Sequence, residues 1–307
     1  MLARLRERLD GAPVSRFAPS PTGRLHLGHI VNAIYVWGVA RALGGVVRLR
    51  IEDHDRERSR TEFDRGIIED LDWLGFLPDA TERQSDHADR YWDALGRLRD
   101  AGPVYWCGCS RQRIAREAGQ NASELRYDGY CRDRALGPGP NRGIRLRLEE
   151  GAEAFDDALL GPIRQAPARQ CGDLLVRDRV GNWTYQFAVT VDDIVDNVTL
   201  VIRGQDLLDS TGRQIRLARL LGRKQPPVFL HHPLVRGADG EKLSKSNHDT
   251  GICELRDAGV PPVEVIGRAA AAAGLIDRAR PLSANEVDRL FRAQWMPKLK
   301  LGPTYGQ

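Results

Sequence analysis

The sequence predicts an α/β fold in which a parallel sheet is interrupted by an insertion. Residues 14–51 have the pattern strand, helix, strand, which is typical of a right-handed parallel βαβ unit. A second strand-rich segment begins near residue 173, and a stretch rich in cysteine, glycine and proline lies between the two. The chain has 307 residues, 41% of them hydrophobic, which is enough to bury one or two substantial cores.

The βαβ unit is predicted from its periodicity and its turns. Residues 14–18 indicate a short buried strand, which the prolines and glycine of residues 19–23 end. From His26 the apolar residues recur on one helical face until Gly44 stops the helix. In residues 46–51 valine, leucine and isoleucine alternate with arginine, as in a half-buried strand.

The remaining elements follow from the same patterns. A short charged helix is expected at the N-terminus, in residues 1–12, and helices with apolar faces over residues 61–100. The later elements are expected in this order: a helix from Gln186, a strand at 198–203, a helix capped by residues 209–211, a strand within 226–235, and helices at 263–275 and 286–291.

We expect the chain to divide into four segments. Residues 1–103 are the first half of the sheet-bearing domain, and residues 104–171 are the insertion. Residues 172–235 are the second half of that domain. Residues 236–307 hold a loop with two lysines and a small helical region.

Composition excludes several classes of protein. No apolar run approaches the roughly 18 residues that span a bilayer, so no membrane association is expected. Five cysteines and no recognisable secretory leader predict a reducing, cytoplasmic setting, where neighbouring cysteines bind metal more often than they form disulfides. Cys171 and Cys253 stand alone and predict small core residues. The net charge of +4 permits an anionic partner without demonstrating one.

Polar residues follow the predicted strands at one edge of the sheet. Ligands of open parallel sheets bind beyond the carboxyl ends of the strands. Residues 16–20, the helix start at His26, and Glu52 with Asp53 should therefore surround one crevice. Glycine fingerprints of dinucleotide enzymes and P-loop ATPases are absent from the sequence, which argues against both classes.

The segment HLGH, residues 26–29, places two imidazoles three residues apart at the start of a helix. Backbone N–H groups and the dipole at a helix start favour anions, and His26 and His29 can donate to phosphate oxygens. Gly28 would let a base or a ribose approach the backbone. Simple capping of the helix by the two histidines is the alternative interpretation.

The segment KLSKS, residues 242–246, holds two of the five lysines in a chain whose other 41 basic residues are arginine. Glycines precede it, so this loop could close over a ligand, and a mobile lysine could neutralise a departing pyrophosphate. A solvated surface loop is the alternative.

Together the two segments resemble the HIGH and KMSKS signatures of class I aminoacyl-tRNA synthetases, in the order in which that class has them. Residues 16–29, RFAPSPTGRLHLGH, followed by RIED at 50–53, resemble the glutamate-specific branch, and the likeness covers nearly the whole chain. The implied fold is the Rossmann-like parallel sheet of class I with its insertion, followed by a small helical C-terminal region and no anticodon-binding domain.

The resemblance also implies residue roles. The glutamate-binding set would be Arg16, Phe17, Ala18, Pro19, Ser20, Glu52, Tyr185 and Arg203. The ATP-binding set would be His26, Gly28, His29, Lys242 and Lys245, of which His26, His29 and Lys245 act in catalysis. This assignment makes physical sense, because glutamate brings two carboxylates and one ammonium, which match two guanidinium groups and one carboxylate.

The acceptor is implied by the resemblance alone. Full-length glutamyl-tRNA synthetases carry a large anticodon-binding region, whereas 61 residues follow Ser246 here. Val189 also occupies a position where those enzymes commonly have asparagine. The chain thus resembles the truncated paralogues, the glutamyl-queuosine tRNA(Asp) synthetases. That implies a monomeric enzyme that uses L-glutamate, ATP and Mg²⁺ and modifies tRNA(Asp) bearing queuosine.

A cysteine cluster in the insertion predicts a zinc site. Cys107 and Cys109 form a CxC pair and Cys131 follows 22 residues after Cys109, so three thiolates could bind Zn²⁺ with one further donor. In the truncated paralogues that donor resembles Tyr127, whereas full-length bacterial enzymes commonly have histidine at the position of Asp133. Reduced cysteines in a metal-free insertion are the alternative.

Three other functions stay open at this point. A short glutamyl-tRNA synthetase would charge a tRNA 3′ end with the same residues. A nucleotidylyltransferase could share the HxGH helix and the lysine loop, but would not need Arg16 and Arg203 around Glu52. An RNA-binding paralogue without catalysis would not need all three sets of residues.

Overall fold

The computed structural model describes residues 1–102, 104–118, 125–235 and 251–292. These ranges form an α/β fold with parallel strands, which confirms the predicted fold class. The strands are β1 (Val14–Phe17), β2 (Val46–Ile51), β3 (Ala80–Arg83), β4 (Val104–Cys107), β5 (Gly143–Leu146), β6 (Glu153–Asp157), β7 (Gly161–Gln165), β8 (Leu174–Arg177), β9 (Leu200–Gly204) and β10 (Val228–His232).

Helices connect and cover these strands. They are α1 (Leu2–Arg8), α2 (Leu27–Ala42), α3 (Thr61–Leu74), α4 (Ala88–Ala101), α5 (Arg111–Ala118), α6 (Pro167–Gln170), α7 (Tyr185–Val195), α8 (Thr211–Leu220), α9 (Ile252–Asp257), α10 (Pro262–Ala272) and α11 (Arg289–Arg292). None of the helices in the described ranges has both the length and the apolar composition that crossing a bilayer requires.

The strand order reverses in the middle of the molecule. β1 pairs in parallel with β2, and β2 with β3. On the other side β9 pairs in parallel with β10, and β10 with β6. The N–H of Thr199, just before β9, donates to the carbonyl oxygen of Val14 at 2.9 Å, so β9 follows β1. Ligands of such sheets bind at the reversal, which here lies between β1 and β9.

Helix α2 lies at the centre of the core. Ile30, Ile34 and Val36 on it are each 0% exposed, and apolar residues continue around the whole helix. A helix that is apolar on every side must be covered on every side. The sheet covers one side of α2, and α10 and α11 cover another, so its first turn is held rigidly at the carboxyl end of β1.

The segment predicted as an insertion contributes to two sheets. β4, β5 and β8 form a separate antiparallel sheet. The hairpin of β6 and β7 pairs instead with β10, through Phe229 opposite Asp157. The boundaries proposed at residues 103 and 171 stay a prediction, but residues 153–165 are hydrogen-bonded to the second half of the sheet-bearing domain.

Two local predictions are wrong. The expectation of helices throughout 61–100 fails at β3, whose sequence Ala-Thr-Glu-Arg has no apolar alternation and forms a strand because it pairs with β2. The helix expected at 286–291 is replaced by a 3-10 turn at Ala284–Glu286 and the short α11.

Candidate active site

Two buried arginines flank the reversal of strand order. Arg16 lies near the carboxyl end of β1 and is 4% exposed, and Arg203 lies near the carboxyl end of β9 and is 3% exposed. A buried guanidinium is costly unless carboxylates or other acceptors surround it. The surroundings of each arginine therefore define the chemistry of this crevice.

Arg16 shares a carboxylate with a third arginine. Its Nε donates to Oδ1 of Asp193 on α7 at 3.1 Å, and Nη1 of Arg50 on β2 donates to the same oxygen at 2.8 Å. Burial alone would raise the pKa of Asp193, but Arg16 and Arg50 outweigh it and hold this pKa below its usual range. Asp193 is therefore an ionised counter-charge that fixes both guanidinium groups.

Glu52 follows β2 and faces the same crevice. Its Oε1 accepts from Nη2 of Arg50 at 3.2 Å, and its N–H donates to the carbonyl oxygen of Pro19 at 3.0 Å. Burial raises the pKa of Glu52, although the charges of Arg50, His54 and Arg16 oppose that rise. An added cation would stabilise the ionised form of a carboxylate whose pKa is raised by burial, so Glu52 is suited to bind an ammonium group.

Arg203 is held by three acceptors. Its Nε donates to Nε2 of His231 at 3.0 Å, Nη1 donates to Oε1 of Gln214 at 2.8 Å, and Nη2 donates to Oγ1 of Thr211 at 2.8 Å. None of these three acceptors carries a negative charge, so the positive charge of the guanidinium is left for an anionic ligand.

Tyr185, the first residue of α7, completes the predicted polar set. Burial and the charge of Glu52 raise the pKa of its hydroxyl, while the charges of Arg203 and Arg16 lower it. Tyr185 therefore interacts electrostatically with all three of these residues. The structure brings together Arg16, Glu52, Tyr185 and Arg203, which the sequence places on four different elements.

The remaining members of the predicted glutamate set lie at the end of β1 and in the loop after it. The side chain of Phe17 is buried against Trp37, with ring centroids 5.4 Å apart, so only its backbone can contact a ligand. Ala18 is half-buried, Pro19 is buried and Ser20 is exposed. This loop reaches from the Arg16 end of the crevice to Glu52.

The HLGH segment forms the first turn of α2, as predicted. The N–H of Gly28 donates to Nδ1 of His26, and the N–H of His26 donates to Nδ1 of His29, both at 3.1 Å. The two rings lie with centroids 3.9 Å apart. Because each Nδ1 accepts a hydrogen bond, each neutral ring carries its proton on Nε2. The helix cap therefore uses Nδ1 of each ring, so it does not by itself exclude the predicted anion binding.

The predicted lysines of the ATP set, Lys242 and Lys245, lie outside the described residues. Their assignment rests on the sequence alone. The structure does place the N–H of Ile252, which follows that segment, in a hydrogen bond to the carbonyl oxygen of Leu25 at 2.9 Å. The chain therefore returns beside His26 shortly after the KLSKS segment.

Sequence reasoning missed the residues that hold the arginines. Arg50 and Asp193 were not among the predicted site residues, nor were Asp157 and His231 behind Arg203. A signal for Asp193 was available, because Asp192 and Asp193 interrupt an otherwise apolar helical run. Two adjacent carboxylates in a buried helix require buried cations nearby.

The predicted zinc ligands converge in the insertion. The sulfur atoms of Cys107, Cys109 and Cys131 all lie within 4.8 Å of one another, and all three residues are buried. The Tyr127 hydroxyl lies 3.4 Å from Sγ of Cys107 and 3.8 Å from Sγ of Cys109. One oxygen and three sulfurs at these separations fit a tetrahedral zinc site.

Two arginines lie beside this cluster, although burial raises the pKa of the Cys109 thiol to about 11 and also raises the pKa of the Tyr127 hydroxyl. Nη1 of Arg113 donates to Sγ of Cys109 at 3.3 Å, and the guanidinium of Arg145 lies 3.8 Å from the centre of the Tyr127 ring. Gly172, with φ of +69°, lies so close to Tyr127 that a Cβ there would be 2.0 Å from the Tyr127 carbonyl oxygen. Only glycine allows this approach, which holds Tyr127 beside the cysteines.

Comparison with known proteins identifies the family. The family described as tRNA synthetases class I (E and Q), catalytic domain, matches residues 14–276. The chain belongs to this family. The class I synthetase resemblance predicted from HLGH, KLSKS and the flanking residues is therefore confirmed.

Relatives within the family fall into two groups. A protein named glutamyl-Q tRNA(Asp) synthetase from Nitratidesulfovibrio vulgaris is 40% identical over 302 residues, which cover 92% of this chain and 93% of that protein. A glutamate–tRNA ligase from Syntrophobacter fumaroxidans is 39% identical over 258 residues, which cover 82% of this chain but 55% of the ligase. The predicted resemblance to the truncated paralogues is thus confirmed.

A solved structure supports the same fold. The chain superposes on a glutamate tRNA ligase from Elizabethkingia meningosepticum, solved in complex with its amino acid, with a TM-score of 0.76 and 26% identity. The superposition covers 91% of this chain and 64% of that ligase. The sheet, α2 and the crevice therefore belong to the part that the family shares.

Proposed function

We propose that this chain activates L-glutamate with ATP and transfers the glutamyl group to queuosine at the wobble position of tRNA(Asp). The observation that carries the proposal is the cluster of Arg16, Glu52, Tyr185 and Arg203 at the reversal of strand order. The relatives that match nearly their full length, and are named for the glutamyl-Q reaction, support the choice of acceptor.

Glutamate recognition follows from the charges of the crevice. In this proposal Arg16 and Arg203 each bind one carboxylate of the substrate, Glu52 binds its ammonium group, and the Tyr185 hydroxyl donates a further hydrogen bond. Glutamine would leave one guanidinium without an anionic partner, and such a group, desolvated and unpaired, opposes binding strongly. The site should therefore select glutamate over glutamine.

Activation forms glutamyl-adenylate. An oxygen of the α-carboxylate of glutamate attacks the α-phosphorus of ATP, and the bond from that phosphorus to the bridging oxygen breaks as pyrophosphate leaves. In this proposal the Nε2–H groups of His26 and His29 stabilise the charge that develops on the phosphates, Gly28 admits the nucleotide, and Lys242 and Lys245 neutralise the pyrophosphate. Mg²⁺ enters with ATP as the usual counter-ion of its phosphates.

Transfer completes the reaction. A hydroxyl of the cyclopentene ring of queuosine attacks the carbonyl carbon of the adenylate, a proton leaves that hydroxyl, and AMP departs with the bonding electron pair. A zinc ion held by Cys107, Cys109, Tyr127 and Cys131 would stabilise the segment proposed as an insertion.

Charging of a tRNA 3′ end is the second candidate, because glutamate–tRNA ligases are 39% identical to this chain and one has the same fold. Removal of the 3′-terminal adenosine from queuosine-containing tRNA(Asp) separates the two. Our proposal predicts that the trimmed tRNA still accepts labelled glutamate at the rate of intact tRNA. Loss of acceptance on trimming would overturn the proposed acceptor and favour 3′-end charging.

Activation can be tested without tRNA. Exchange of labelled pyrophosphate into ATP should depend on glutamate and should be at least about a hundredfold slower with glutamine at equal concentration. Absence of glutamate-dependent exchange, with or without tRNA present, would contradict the first half of the proposal.

A further inference from the structure

A buried chain of hydrogen bonds continues behind Arg203, away from the crevice. Nε of Arg203 donates to Nε2 of His231 at 3.0 Å, and Nδ1 of His231 lies 2.7 Å from Oδ2 of Asp157. His231 and Asp157 are both 0% exposed. The two lie on the neighbouring parallel strands β10 and β6, so the sheet itself sets their separation.

The groups at the two ends of this series of hydrogen bonds, Arg203 and Asp157, fix the position of the proton on His231. A guanidinium has donors only, so Nε2 of His231 must accept. Asp157 accepts at Oδ1 from the N–H groups of Leu159 and Leu160, and at Oδ2 from the backbone N–H of His231, so both of its oxygens act as acceptors here. Nδ1 of His231 therefore carries the single ring proton and donates a hydrogen bond to Oδ2 of Asp157.

The histidine is held neutral in this position. Burial lowers the pKa of His231 and the charge of Arg203 lowers it further, while the hydrogen bond to Asp157 opposes both. A protonated ring would turn Nε2 into a donor that faces the Nε–H of Arg203. The neutral ring instead gives Arg203 an acceptor in a direction that Asp157 sets.

This acceptor decides the plane of the guanidinium. Gln214 and Thr211 accept from Nη1 and Nη2, and His231 accepts from Nε, so each of the three guanidinium nitrogens has an acceptor. Bidentate recognition of a carboxylate depends on the orientation of the planar fork. Without His231, the buried Nε–H of Arg203 would lose its acceptor. The guanidinium could then rotate until this N–H reached a different acceptor.

We propose that His231, itself hydrogen-bonded to Asp157, is a positioning residue that orients Arg203 toward a carboxylate of glutamate, an inference that rests on the proposed function. Neither residue touches the substrate. Their effect should appear in the binding of glutamate and not in the binding of ATP, because the HLGH turn lies on a different element.

Two substitutions of His231 separate the contact of Nδ1 with Asp157 from the contacts of Nε2 with Arg203 and with the Thr211 hydroxyl, which lies 3.2 Å away. In His231→Asn the amide can reach Asp157 but offers no acceptor at the position of Nε2. In His231→Gln the amide oxygen can take that position and accept from Arg203, while the bond to Asp157 is lost. A matched control is His232→Asn, because His232 is also buried on β10 but contacts Asn32 and the carbonyl oxygen of Pro233.

The experiment measures pyrophosphate exchange with glutamate and ATP each varied, together with the thermal unfolding midpoint of every variant. His231→Asn should raise the KM for glutamate about tenfold or more and leave the KM for ATP within about twofold. His231→Gln should recover most of that loss. His232→Asn should lower the unfolding midpoint comparably and leave the KM for glutamate within about twofold.

The outcomes that overturn the inference are distinct from failure of the proposed function. A wild-type protein without glutamate-dependent exchange would overturn the function and this inference with it. An active wild type whose KM for glutamate is unchanged in His231→Asn, or rises equally in His232→Asn, overturns the inference alone. If His231→Asn does not fold, a folded His231→Gln with a KM for glutamate raised about tenfold also overturns it.

Discussion

Replacement of Glu52 by glutamine tests the proposed ammonium site most sharply. In the structure, Nη2 of Arg50 lies 3.2 Å from Oε1 of Glu52. Glutamine keeps the shape of the side chain and an oxygen that can accept this hydrogen bond. Arg50 also keeps its 2.8 Å hydrogen bond to Asp193. The fold should therefore tolerate the change, while the single negative charge that faces the substrate ammonium is lost.

The magnitude follows from the burial of the site. Glu52 is 4% exposed, so a pair with an ammonium would be largely shielded from water. Removal of one partner of a buried, hydrogen-bonded charge pair costs about 2–5 kcal/mol. A central value of about 3 kcal/mol corresponds to about a 150-fold rise in the KM for glutamate, at about 1.4 kcal/mol per decade.

The assay is pyrophosphate exchange with glutamate varied at saturating ATP. The matched control is Asp53→Asn, because Asp53 is adjacent and accepts from the N–H of Ser85 at 2.8 Å, a bond that the asparagine oxygen can keep. The control should leave the KM for glutamate within about threefold. A Glu52→Gln enzyme with wild-type KM, or an Asp53→Asn enzyme with an equal loss, would refute the placement of the ammonium on Glu52.

Three further predictions concern activation, metal and stability. Lys245→Ala should slow glutamate-dependent pyrophosphate exchange about a hundredfold, because a charge on the departing pyrophosphate is no longer neutralised. The control Lys224→Ala, at an exposed lysine, should leave the exchange rate unchanged. Near-normal exchange in Lys245→Ala would contradict the proposed role of Lys245. Protein purified without chelator should contain one zinc per chain by atomic absorption, and Cys131→Ala should lose it while Cys253→Ala keeps it; a metal-free wild type would contradict the zinc site. Asp193→Asn should reduce the free energy of unfolding in urea by about 3–5 kcal/mol, because it removes the buried carboxylate that Arg16 and Arg50 share. A loss below about 1 kcal/mol would show that other groups compensate the two guanidinium groups.

The βαβ unit was predictable because its signals are local. Apolar periodicity defined α2, and alternation of valine and leucine with arginine defined β2, whose predicted bounds the structure reproduces. His26 was expected at the start of α2 and is its N-cap. Each of these features depends on neighbours within a few residues, which the sequence displays directly.

Long-range pairing explains what the sequence did not reveal. β3 is a strand because β2 lies beside it, and its own four residues carry no strand pattern. The pairing of β6 with β10 joins residues that are about 70 positions apart, and no periodicity in 153–165 indicates it. Asp157 and His231 meet only through that pairing, so their support of Arg203 could not be inferred from spacing.

The candidate site divides in the same way. The substrate-facing set of Arg16, Glu52, Tyr185 and Arg203 was reached through motif resemblance, and the structure brings these residues together. Asp193, which neutralises two of the buried arginines, was absent from that set because it contacts no substrate in the proposed scheme. The motif resemblance therefore predicted the groups that are proposed to bind the ligand, whereas the structure was needed to find the charged groups that hold them in place.

The central claim is that queuosine accepts the glutamate. The most direct test incubates the protein with ATP and labelled glutamate, in parallel with total tRNA from queuosine-proficient and queuosine-deficient cells. Our account predicts label only in tRNA from the proficient cells. Equal label in both pools would contradict it and would mean conventional charging of a 3′ end by the same crevice.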